Sequence, residues 1–129
     1  MVSRKRNRPP GRGAESFPPE RRVRRRGEFR ETYDAGRRHH GRLAVVFACS
    51  GEGDGPRLGI TVTKKVGSAG VRNRLRRRVR EIFRRLPAAR TGPPTRLVVN
   101  VSPRAAAASF AELHEELERL FSRALGLRA

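Results

Sequence analysis

Between Val71 and Leu86 six apolar residues, Val71, Leu75, Val79, Ile82, Phe83 and Leu86, recur among eight arginines. At helical spacing these six fall within an arc of about 120°. A disordered basic run has no reason to hold apolar residues in register, so this segment must be a helix with one side docked on a core. Arg74, Arg76, Arg77, Arg78, Arg80, Arg84 and Arg85 lie outside the arc, with Asn73. Arg72 falls inside it at the first turn and is expected along a sheet edge rather than in water. A merely solvated helix mixes signs to gain i,i+4 pairs, yet this one has a single acid, Glu81. Like charges at that spacing cost stability unless an anion neutralises them, so the helix is read as built to hold a polyanion.

The whole chain agrees with that reading. Its 129 residues carry a formal charge of +19. A compact chain of that charge repels itself and attracts polyanions. Nucleic acid comes first, then an anionic membrane surface, then an acidic protein. Of the basic residues only Lys5, Lys64 and Lys65 are lysines. Part of the arginine bias reflects GC-rich codons, but the guanidinium still pairs phosphate oxygens with its planar fork and stacks on bases. The charge is uneven. Residues 1–26 hold ten basic and two acidic groups, residues 64–85 ten and one, and residues 104–129 four of each.

The length allows one domain with at most a tail. Residues 1–16, rich in Arg, Pro and Gly, read as a disordered basic arm, either a solubilising tail or a non-specific phosphate contact. Residues 17–129 read as a single α+β domain. A short helix is predicted over 27–35, with Phe29 and Tyr33 on one face and Gly36 placed to stop it. "RLAVVFACS" (42–50) and the alternating "RLGITVT" (57–63) are predicted as a hairpin joined by the turn-rich "GEGDGP". Cys49 is expected as an inert core residue. "GSAG" (67–70) precedes the basic helix, "ARTGPP" (89–94) is a loop, and "TRLVVNVS" (95–102) is apolar enough for a central strand. Ser109 and Glu112 form a capping box opening a last helix with Phe110, Leu113, Leu117, Leu120, Phe121 and Ala124 as its buried stripe. Strands and helices in this order make a small sheet packed against helices, an α+β sandwich.

Several functions lack their signals. One cysteine allows no intramolecular disulfide and no zinc-finger spacing, which fits a reducing cytosol. No apolar run approaches the roughly 20 residues of a membrane span, so no membrane partner is expected. "GSAGVRNR" lacks the ending of a P-loop, and no dinucleotide fingerprint is present. His39 and His40 are adjacent and His114 is remote, so no metal pattern forms. No nucleophile–base set emerges, and neither a small-molecule substrate nor a catalytic residue is expected on this chain. Phe29, Tyr33 and Phe47 are the aromatic candidates for stacking unpaired bases, the other reading being that all three are core.

The stretch "LGITVTKKVGSAGVRNRLRRRVREIF" (58–83) closely resembles the signature of the bacterial ribonuclease P protein family, in which paired lysines and a glycine precede an R-N-R helix. "RRVRRRGEFRETYDAG" resembles the family's first helix and "FAELHEELERLF" its last. The resemblance implies an αβββαβα order with a left-handed β-α-β crossover through the basic helix, where the general rule would give a right-handed one. It implies a subunit that pairs with a catalytic RNA, which itself removes the 5′ leader of precursor tRNA. Mg²⁺, held mainly by the RNA, would serve that hydrolysis, and the location would be cytoplasmic. Carried onto this chain, it implies RNA contacts by Lys64, Lys65, Arg72, Asn73, Arg74, Arg76, Arg77, Arg78 and Arg80. Phe29, Tyr33 and Phe47 would line the cleft for the single-stranded leader. Arg76 stands where the family often has Lys, and Thr63 where it often has Ser. The alternatives are a ribosomal or other structural RNA-binding protein and, against the flanking strands, a helix-turn-helix DNA-binding protein.

Overall fold

The computed structural model describes residues 26–126, so the 1–16 arm, and with it Phe17 and Val23, lies outside the described residues. Helix α1 (Arg26–Ala35) leads into strand β1 (Arg37–His40), followed by β2 (Ala44–Ser50) and β3 (Arg57–Thr61). A 3₁₀ turn at Lys64–Val66 enters α2 (Ala69–Arg85), and a single turn, α3 (Ala88–Thr91), precedes β4 (Thr95–Val101). A second 3₁₀ turn, Pro103–Ala107, leads to α4 (Phe110–Ala124). The order is the αβββαβα that the family resemblance implies; the residue pattern alone did not give β1, and α3 replaces the start of the loop expected at 89–94. Ala88 and Ala89 are buried there, which gives that turn a reason to form.

The strands lie in the order β1-β2-β4-β3. The hairpin expected between 42–50 and 57–63 therefore does not exist. β2 pairs antiparallel with β1 and with β4, while β3 pairs with β4 in parallel. Loop 51–56 steps across the end of β4, where the Gly51 amide donates to the Pro94 carbonyl at 3.1 Å. That step covers two inter-strand spacings, about 10 Å, which explains a loop of this length. The physical reason for the order is two-sided burial. Leu97 and Val99 of β4 face one side and Val98 the other, and all three are fully buried. β3 carries Gly59 and Thr61 on its second side and takes an edge.

Strand alternation divides the side chains into two faces. Ala44, Val46 and Ala48 of β2, Leu58 and Ile60 of β3, and Leu97, Val99 and Val101 of β4 form the floor of the main core. α2 covers it with Leu75, Val79, Ile82 and Phe83, and α4 with Leu113, Leu117, Leu120 and Phe121. The Phe83 and Phe121 rings meet edge-on at 5.2 Å. α1 packs on the opposite face over a second, smaller cluster of Phe47 and Val98 with Phe29, Tyr33 and Val45.

The ends of these elements are fixed locally. Ser68 accepts from the Val71 amide as N-cap of α2, so the helix begins at Ala69, two residues before the Val71 start expected from its apolar arc. Gly67 passes so close to Val71 that an added Cβ would sit 3.1 Å from its Cγ1. The Ser109–Glu112 capping box forms in both directions, and its hydrogen bonds hold the Glu112 carboxyl below its usual range. Gly36 closes α1 with its amide on the Thr32 carbonyl at 2.9 Å.

One buried carboxylate joins the two halves of the main core. Glu116 of α4 is 6% exposed. It accepts from the amides of Arg42, Leu43 and Ala44 at 3.0, 2.7 and 2.9 Å. Those are the backbone donors that open β2 beyond the β1–β2 turn. Glu116→Ala strands them and is expected to lower unfolding free energy by about 3 kcal/mol. In urea titration this appears as a lower midpoint at unchanged slope, and Glu116→Gln, which keeps an acceptor, falls between.

Candidate nucleic-acid interface

The sheet register lines up the second face in rows. Arg38, Phe47, Val98 and Gly59 form one row across β1, β2, β4 and β3. His40, Val45, Asn100 and Thr61 form the next, and Cys49, Arg96 and Arg57 a third. α1 lies on these rows, and its side chains bind it to each. The Glu28 carboxylate takes both terminal nitrogens of Arg57, at 2.9 and 3.1 Å. Glu31 accepts from Arg96 at 2.6 Å, and this bond holds Arg96 more firmly protonated. Cys49 is half-buried beneath α1 with Sγ 3.7 Å from the Thr32 hydroxyl, so it belongs to this face and not to the main core.

Tyr33 is the hub of the face. Its hydroxyl donates to Asn100 Oδ1 at 2.7 Å and lies 2.9 Å from Thr61 Oγ1. Its ring meets the Phe47 ring edge-on at 4.9 Å. The Arg38 guanidinium lies over Phe47 at 5.6 Å. The three aromatics singled out in the sequence thus come together. Phe29 and Tyr33 are half-exposed, whereas Phe47 is 9% exposed and forms the floor beneath them. An aromatic floor with half-open rings and flanking arginine suits an unpaired strand, since every base has a π-face to stack.

The second surface is α2 with its entry turn. Lys64 and Lys65 are exposed on the 3₁₀ turn anchored by buried Val66. Asn73, Arg74 and Arg77 are exposed, while Arg72, Arg76, Arg78 and Arg80 are half-exposed along the flanks of the helix. Asn73 Oδ1 accepts from Arg76 at 3.1 Å. Arg72 Nε donates to the Gly67 carbonyl at 3.2 Å, so Arg72 folds back on the entry loop rather than along the sheet edge expected for it. Glu81 neutralises the far end of the helix. It pairs with Arg84 at 2.8 Å and Arg85 at 2.6 Å, and the Arg84 hydrogen bond foremost holds its carboxyl below the usual range. Among the described residues Lys64, Lys65, Arg74, Arg77 and Arg78 have no acidic partner. The net field of α2 is therefore concentrated in its first turns and its entry.

Thr61, Asn100, Arg38, Arg57 and Arg96 were not among the sequence candidates. The polar Asn100 inside the apolar run of β4 was the available signal. Its pairing with Tyr33, 67 residues away, depends on a sheet register that local pattern does not contain. Among the described residues no three His, Cys, Asp or Glu side chains gather to hold a metal ion. Residues 64–80, the α2 entry and first turns, carry charged side chains of positive sign only, a set that does not fit a resident Mg²⁺. Among the described residues no helix is long and apolar enough to cross a membrane.

A basic helix docked by its apolar side on one face of the sheet, with a floor of aromatics on the other, is the arrangement of an RNA-binding α+β protein. The chain belongs to the ribonuclease P protein family, whose model, described as Ribonuclease P, matches residues 17–125. It is 43% identical over 113 residues to the ribonuclease P protein component of Acidothermus cellulolyticus, covering 83% of this chain and 90% of that one. The Staphylococcus aureus RNase P protein superposes with a TM-score of 0.74 at 28% identity, covering 81% of this chain and 94% of the other. The Thermotoga maritima RNase P protein gives 0.69 at 32% identity, over 79% and 96%. The chain is thus the protein subunit of an endoribonuclease of tRNA processing, a holoenzyme whose cleavage is carried out by RNA.

The hairpin next to the aromatic floor carries its own pH dependence. Burial first, then the charges of Arg123 and Arg37, push the His39 imidazole below 6.5. The unfolded chain takes up a proton near 6.5 that the folded chain refuses. Stability from this group is therefore complete above that pH and declines as pH falls below it. His39→Gln should flatten the fall in melting temperature between about pH 7 and 5, as read in a series of thermal melts; an unchanged slope would show that His39 does not carry it.

Proposed function

We propose that the two surfaces divide the work of the subunit. The first turns of α2, with Arg72, Asn73, Arg74, Arg76, Arg77, Arg78 and Arg80, and the entry lysines Lys64 and Lys65 face the catalytic RNA. The sheet face under α1, with Phe29 and Tyr33 over Phe47, takes the single-stranded 5′ leader of precursor tRNA. The observation that carries this reading is the concentration of unneutralised charge on a helix whose other side is fully committed to the core. Phosphate neutralisation gives affinity without reading sequence, which suits the docking of a folded RNA. Stacking on half-open rings suits a leader whose sequence varies from one precursor to the next.

In this reading the chain supplies no chemical step. Mg²⁺ belongs to the RNA, and the protein's cationic surfaces lower the repulsion that the RNA and its substrate feel when they meet. Neutralising phosphates on both partners lowers the Mg²⁺ needed for productive association. The reading places the subunit in the cytoplasm, with catalytic RNA and precursor tRNA as its partners.

Reconstitution tests it. Added to a bacterial ribonuclease P RNA, the protein is expected to permit cleavage of precursor tRNA at Mg²⁺ concentrations where the RNA alone is inactive. Affinity for the RNA should fall steeply as salt rises. Arg72→Ala with Arg74→Ala is expected to weaken assembly with the RNA more than Phe29→Ala does. Phe29→Ala should instead reduce the preference for substrates that carry a leader. Equal loss with leaderless tRNA contradicts the cleft, and no gain in activity or substrate affinity on adding the protein contradicts the whole assignment. Co-purification with ribosomal subunits would favour the structural-RNA alternative.

A further inference from the structure

Where α2 meets α4, two aromatic rings that belong to neither surface above, Phe110 and His114, stand beside Arg78 of the docking helix. Phe110 is the first residue of α4, and the Ser109–Glu112 capping box fixes its position. Leu113, Leu117, Leu120 and Phe121 of the same stripe are fully buried, but Phe110 is half-exposed at the rim of the core. The Arg78 guanidinium lies over its ring at 6.0 Å. The His114 ring lies beside it at 5.9 Å, tilted by 41°. Arg78 has no acidic partner among the described residues, and on α4 the Glu118 carboxylate lies 3.9 Å from His114 Nδ1. Arg74 stands one turn before Arg78 on the same flank of α2 and is likewise unpaired among the described residues.

We infer that the Arg78–Phe110–His114 cluster, where α2 and α4 meet, is a second nucleobase-binding site, taking one unpaired nucleotide of the RNA that α2 docks on. The base lies against the open part of the Phe110 ring, and its phosphates meet Arg74 and Arg78. Three features select this occupant. A half-open aromatic offers a stacking surface to any base. A guanidinium over the ring can stack on the base and pair a phosphate oxygen at once. The unneutralised charge on this flank favours a polyphosphate chain over an acidic peptide, which would bring fewer and more widely spaced charges. The cluster lies on the side of the sheet covered by α2 and α4, opposite the aromatic floor under α1, so its ligand is a different nucleotide from those of the leader. The inference rests on the reading of α2 as the RNA-docking helix.

The test uses the reconstituted holoenzyme with its catalytic RNA. Phe110→Leu keeps apolar packing against the core and removes the aromatic face, and Phe110→Trp restores a face. Phe110→Leu is expected to weaken assembly with the RNA roughly tenfold, within the range of one lost stacking contact, while Phe110→Trp recovers most of it. Chemical probing of the RNA should show one unpaired nucleotide protected by the unaltered protein and by Phe110→Trp, and reactive again with Phe110→Leu. The preference for leader-bearing over leaderless tRNA should be the same in all three. Thermal melts of the free proteins separate lost folding from lost binding. Unchanged affinity and unchanged protection with Phe110→Leu overturn the site. If Arg74→Ala with Arg77→Ala also leaves RNA affinity unchanged, the reading of α2 itself fails; if that pair weakens binding while Phe110→Leu does not, only the second site is wrong.

Discussion

The rest of the structure depends on β4 being apolar on both sides. Val98 points to one face of the sheet and Val99 to the other, and neither is exposed to solvent. A strand of that kind must lie inside the sheet with cover on both faces. It draws β2 to one side in antiparallel register and β3 to the other in parallel. The parallel neighbour forces a crossover, and the crossover is the basic helix α2. The helix that carries the charge is thus also the connection that the sheet requires.

That arrangement reconciles the charge of the chain with its stability. Eight arginines on one helix would repel one another and its surroundings if the helix were free. Docking through Leu75, Val79, Ile82 and Phe83 commits one side to the core and leaves the arginines along the flanks and the outer side. Glu81 relieves the crowding at the far end through Arg84 and Arg85. On the opposite sheet face the same logic recurs with pairs. Arg57 and Arg96 are half-buried and each is met by a carboxylate from α1, whereas Arg38 stays exposed above Phe47. Arginines that hold the fold together are neutralised within it, and several of those set aside for a partner are not.

Much of this was legible in the residues. Periodicity located α2, its apolar stripe and the position of Arg72 within the arc. The capping box located the start of α4, and the two-sided apolar run marked β4 as central. Local pattern could not give the strand order, because nothing within 42–63 says that β4 will enter between β2 and β3. The expected hairpin failed for that reason. The same gap hid the hydrogen bonds of Tyr33 to Asn100 and Thr61 and the grip of Glu116 on the start of β2, each of which joins distant parts of the chain. Cys49 looked like core from its strand, and only the packing of α1 shows that its side of β2 belongs to the second face.

The central claim is that the protein meets two different RNAs with two different surfaces. Hydroxyl radicals released from iron–EDTA on a single engineered cysteine test it most directly, using Arg38→Cys above the aromatic floor and Arg77→Cys on α2, each in a Cys49→Ser background. With holoenzyme bound to precursor tRNA, the account predicts cuts in the 5′ leader from position 38 and cuts in the catalytic RNA from position 77. Cuts in the catalytic RNA from position 38, with the leader left intact, would contradict it.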